Sequence, residues 1–85
     1  MKCFFWDFFG PRAAGTAGHF LVHLREFLLK NECPEMPTGL RSEGAGHQAV
    51  FCYPPPEYEA RIAASLRPRR IVDEPAPPSA EPSKT

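Results

Sequence analysis

The first apolar run, "KCFFWDFF" over residues 2–9, is short and ends at Gly10-Pro11. Its length and this punctuation read as a β-strand. Alternation assigns Phe4, Trp6 and Phe8 to one face and Cys3, Phe5, Asp7 and Phe9 to the other. Both faces are apolar, which predicts a central strand covered on both sides. Over residues 11–30 the period changes. At about 100° per residue, Ala13, Ala17, Phe20, Leu21, Leu24, Phe27 and Leu28 fall on one arc. Arg12, His19, His23, Glu26 and Lys30 fall opposite. This is the pattern of a helix laid on a sheet, with Pro11 suited to the first helical position.

"NECPEMP" (31–37) reads as a loop, followed by a short strand near Thr38–Ser42. "EGAG" makes a glycine-rich turn, and "HQAVFCY" (47–53) is rich in strand formers, so the two strands form a hairpin. "PPPEYEARIAASLR" (54–67) reads as a second helix. Glu57 and Glu59 favour its N-terminal turn, Tyr58, Ile62 and Leu66 make its stripe, and Pro68 stops it. "RRIVD" (69–73) is a short last strand. From Glu74 on, "EPAPPSAEPSKT" has no apolar pattern and reads as a disordered Pro-rich tail. The expected division is a single domain over residues 1–73 and a tail over 74–85.

The order β-α-β-β-α-β resembles the ferredoxin-like α+β fold. The resemblance covers residues 2–73, lies at the level of architecture and names no family. It implies a four-stranded sheet of order 4-1-3-2, with both helices on one face, and many functions share that frame. The first and third strands would then be central neighbours. With Phe4, Trp6 and Phe8 toward the helices, Phe5, Asp7 and Phe9 lie on the open face. The third strand would add either His47, Ala49, Phe51 and Tyr53 or Gln48, Val50 and Cys52; the first set continues an apolar surface with polar ends. An exposed aromatic patch on a small protein marks an interaction surface. Asp7 would be an accessible carboxylate with His47 or an arginine as partner. The opposite orientation would turn Asp7 toward the helices, to pair with Arg12 or a helix N-terminus.

Size sharpens this picture. With 85 residues, 42% of them hydrophobic, the chain is expected to fold as one marginally stable domain, and a homodimer covering the aromatic face would add stability. Residues 1–72 carry nine basic and seven acidic side chains, a net +2. That is too little for a typical nucleic-acid footprint. The aromatic strands are similar to those of RNA-recognition domains, but "HQAVFCY" lacks the basic residues of their motif. Cys3, Cys33 and Cys52 are odd in number and form no C-x-x-C pair, which argues against a disulfide framework and fits the cytoplasm. Met1-Lys2 precedes an apolar run, but Asp7 and Gly10-Pro11-Arg12 make it a poor signal peptide, and no stretch is long enough to span a bilayer. No motif calls for a cofactor.

Three constellations carry candidate chemistry. His19, His23 and Glu26 share a helix face at metal-binding spacing, a pattern that a solvated face also produces. "GPRAAGT" joins a strand to a helix N-terminus, where Arg12 and Thr16 could assist an anion. Acylphosphatases, which are ferredoxin-like, use an arginine in this loop. They also need an asparagine on the hairpin, whereas the only asparagine here is Asn31, after the first helix. Asp7 and His47 could form an acid–base pair if their strands are in register. The expected function is a small binding or interaction module, homodimeric or ligand-binding through Phe5, Asp7, Phe9, His47, Phe51 and Tyr53. The alternative is a small enzyme or metal-binding protein built on Asp7 and His47 or on the helix histidines.

Overall fold

A computed structural model describes residues 1–74; of the tail expected over 74–85, residues 75–85 lie outside the described residues. The aromatic run forms strand β1 (Lys2–Phe9), followed by helix α1 (Ala13–Lys30), strands β2 (Thr38–Gly44) and β3 (His47–Cys52), helix α2 (Pro56–Leu66) and strand β4 (Arg70–Asp73). The four strands make one sheet in the order β2-β3-β1-β4, and every neighbouring pair is antiparallel. The chain is thus α+β: an antiparallel sheet and two helices. β1 and β3 are the inner strands, which explains why β1 is apolar on both faces.

Phe4 and Trp6 of β1 and Val50 and Cys52 of β3 pack with Ala17, Leu21, Leu24 and Leu28 of α1 and Ile62 of α2. Both helices therefore bury their apolar stripes against the same sheet face. Trp6 also donates its indole N–H to the Leu66 carbonyl at 2.9 Å. That bond satisfies one of the carbonyls a helix end leaves without an intrahelical partner.

Both helices start later than the sequence pattern predicts. Pro11 lies in the turn, and Arg12 is the N-cap of α1. Gly10 takes φ 105°, a conformation open to glycine, and its N–H bonds to the Gly46 carbonyl at 2.8 Å. The turn after β1 is thereby fastened to the β2–β3 hairpin before the helix begins. Pro54 is buried, and Pro55, in an extended conformation, is the N-cap of α2.

The second sheet face is not bare. Cys3, Phe5, Ala49 and Tyr53 form their own buried cluster, flanked by half-buried Phe51 and Val72. Glu74, expected in the tail, belongs to the folded part. Its N–H bonds to the Met1 carbonyl at 2.8 Å, and its carboxylate receives the Tyr53 hydroxyl at 2.8 Å.

Candidate functional site

Strand register assembles the second face row by row. Arg70 of β4 lies opposite Phe5 of β1, Phe5 opposite Phe51 of β3, and Phe51 opposite Gly39 of β2. In the next row Asp7 pairs with Ala49 and Ala49 with Arg41; beyond it Phe9 pairs with His47. Gly39 has a reason to be glycine, because a Cβ there would stand 3.0 Å from the Phe51 ring. Asp7 and His47 are diagonal neighbours, a spacing that long side chains bridge.

Asp7 holds the centre, its side chain only 7% exposed. One carboxylate oxygen accepts from His47 Nε2 at 2.8 Å and from Arg70 Nη2 at 2.7 Å; the other accepts from Arg70 Nε at 2.9 Å. The two parallel bonds from one guanidinium make a charge-assisted fork. The Arg70 hydrogen bonds hold the Asp7 carboxyl below its ordinary range; burial opposes them and His47 assists them. The same bonds raise the Arg70 pKa further. A charge can stand among these aromatics because a guanidinium neutralises it at contact distance.

The aromatics form the floor beneath this network. The Arg70 guanidinium carbon lies 4.3 Å from the Phe5 ring centre and that of Arg41 4.8 Å, within cation–π reach. They leave Phe5 only 1% exposed. The Arg41 guanidinium lies 3.8 Å from Glu43 and 3.8 Å from Glu74, and Arg70 stands 4.0 Å from Glu43. At the edge, Phe9 is 66% exposed and stacks on His47 with ring centres 4.3 Å apart.

Of the expected surface residues, Phe9 is exposed, His47 and Phe51 are half-buried, and Phe5 and Tyr53 are buried. Phe5 and Tyr53 are therefore supporting residues, because arginine and glutamate side chains reach over them. Arg41, Arg70, Glu43 and Glu74 join the site; the sequence offers an arginine as a partner for Asp7 but does not say which. Alternation in "RRIVD" puts Arg70 and Val72 on one face, but only the pairing with β1 says which face.

The chemistry open to this face is recognition through paired charges and ring surfaces. An ionised Asp7 can orient His47, but it is a poor proton donor. Cys3, the thiol on this face, is fully buried and burial raises its pKa, the wrong direction for a nucleophile. On the helix side burial pushes the Cys52 thiol up to about 12.

Elsewhere, Arg12, Gly15, Thr16 and His19 line one open depression at the start of α1. The anion candidates Arg12 and Thr16 thus share a site with backbone, but the depression adds no buried polar group to them. His19 and His23 approach each other at 2.9 Å through their Nε2 atoms, whereas Glu26 faces His23 Nδ1 at 3.4 Å. Glu26 is thus on the far side of the ring and does not join the histidines as a third ligand. Among the described residues no group of three or more His, Cys, Asp or Glu side chains is arranged to hold a metal ion. Nor is any described helix long and apolar enough to cross a membrane. Comparison with protein-family models, curated proteins and solved structures gave no match.

Proposed function

We propose that this chain is a binding module whose second sheet face docks on a copy of itself, forming a homodimer. The observation that carries the reading is the charge pattern of that face. Arg41 and Arg70 alternate there with Asp7, Glu43 and Glu74, at separations of 2.7 to 4.0 Å. Two cations against three carboxylates offer little to a polyanion. About a two-fold axis the same pattern is self-complementary, as an isologous interface requires. Exposed Phe9 and half-buried Phe51 supply apolar contact beside the charges. The strand order, read from β4 as 4-1-3-2, supports a ferredoxin-like frame in which this face stays free of helices. Three free thiols, Cys3, Cys33 and Cys52, agree with a reducing cytoplasm.

A dilution series of ¹⁵N-labelled protein followed by NMR tests the reading. The expected concentration-dependent shifts centre on Phe9, Arg41, His47, Phe51 and Arg70. Shifts centred instead on Val22 and Leu29, exposed on the outer side of α1, would move the interface to the helix and overturn it. The 2.8 Å contact between Asp7 and His47 supports a second, catalytic reading, with His47 carrying a proton and Asp7 orienting its ring. That reading expects the wild-type spectra to be independent of dilution and His47→Gln to abolish turnover.

A further inference from the structure

The outer face of α1 carries a feature that the sheet face does not use. His19 and His23, one helical turn apart and both exposed, point their Nε2 atoms at each other across 2.9 Å. Only one proton can occupy that gap, so one of the two nitrogens presents a lone pair to the other. Glu26 Oε1 lies 3.4 Å from His23 Nδ1. Its negative charge favours the tautomer with the proton on Nδ1, which leaves the His23 Nε2 lone pair facing His19.

We propose that His19 and His23 form a two-imidazole site for a divalent transition-metal ion that takes them at adjacent, roughly right-angled positions, with Cu(II) and Ni(II) as the fitting class. The donor set carries the choice of ion: two imidazoles with water in the remaining positions suit Cu(II) and Ni(II), toward which affinity rises along the divalent series. Imidazole nitrogens bind at about 2.0–2.1 Å. Two such nitrogens stand about 2.9 Å apart at a right angle and about 3.3 Å apart at the tetrahedral angle. The observed 2.9 Å is the hydrogen-bond distance of the free rings, and it already lies within the span that an ion in adjacent positions requires, so little ring movement closes the site. The ion replaces the single proton between the rings. Glu26 acts as the carboxylate behind a metal-bound histidine, which orients the ring and raises its basicity. His19 also lines the open depression with Arg12, Gly15 and Thr16. The remaining coordination positions therefore open on solvent and are filled by water. Arg12 on the same depression repels the ion, and Glu26 offsets that charge.

Titration calorimetry with NiCl₂ on the full chain tests the site, in a Cys33→Ser background that removes the half-buried thiol. The expected result is one Ni(II) per chain. Binding should fall at least tenfold in His19→Ala and in His23→Ala, and about tenfold in Glu26→Gln. Circular dichroism should be unchanged in each variant, since these positions are exposed and alanine is a strong helix former. Cu(II) loaded in the same protein should give an axial EPR spectrum with two coupled nitrogens. No saturable Ni(II) binding, or binding that His19→Ala leaves intact, would overturn the proposal. An unchanged affinity in Glu26→Gln would overturn the role given to that carboxylate.

Discussion

Asp7 is the residue on which the second sheet face turns. Its three hydrogen bonds to Arg70 and His47 join the edge strand β4 and the inner strand β3 to β1. Hydrogen bonds to charged groups contribute roughly 1.5–3 kcal/mol each at most, and Arg70 is partly solvated. Asp7→Ala should therefore destabilise the fold by about 2–3 kcal/mol, read from the urea midpoint at neutral pH. The same pair sets a pH dependence. Arg70 lowers the folded pKa of Asp7, so this stabilisation is complete above the unfolded value of about 3.9. It is lost as pH falls from there through the lower folded pKa. The gap in urea midpoint between the wild-type chain and Asp7→Ala should be fully present at about pH 5 and close progressively below pH 4. A gap that persists unchanged at pH 2 would remove the ion pair as its cause. Alternation along β1 left two faces open for Asp7, with His47 or an arginine as partner on one and Arg12 or a helix N-terminus on the other; the structure has it on the helix-free face. That His47 and an arginine would share the carboxylate was not readable, since it depends on two strand registers at once.

At the scale of elements, chain order and the periods of 2 and 3.6 recover all six segments, and the differences lie at their ends. β2 runs on to Gly44 because a register shift between Ser42 and Gly44 absorbs an extra residue, leaving Ala45-Gly46 as the turn. A sequence pattern reads that glycine-rich stretch as turn throughout. The end of α2 is a left-handed residue, Arg67 at φ 50°, where an L side chain costs about 1–2 kcal/mol. Arg67→Gly should raise stability by roughly 0.5–1 kcal/mol, after the greater freedom of glycine in the unfolded chain is subtracted. Thermal unfolding checks it, and a lower midpoint would contradict it. At the residue before it, Trp6→Phe removes the indole N–H bonded to Leu66 and leaves a cavity where the indole filled the core. It should cost about 2–3 kcal/mol and speed amide exchange at the last turn of α2 before it affects α1.

At the scale of the molecule, the chain places apolar clusters on both sides of one four-stranded sheet and covers them differently. Two helices cover one side; arginine and glutamate side chains cover the other. This division is why composition alone points to a bare aromatic patch. Five of the aromatic residues lie in β1, and counting them does not reveal that guanidinium groups lie over Phe5. What remains outward on that side is a charged surface with Phe9 at its rim, the surface proposed to pair with its copy. The most direct test is the solution mass of the wild-type chain by light scattering across a concentration series, beside Phe9→Ser. A homodimer through this face requires a mass rising to twice 9.5 kDa for the wild-type chain, and a shift toward the monomer in Phe9→Ser with unchanged circular dichroism. A wild-type chain that stays at 9.5 kDa at every concentration would contradict it.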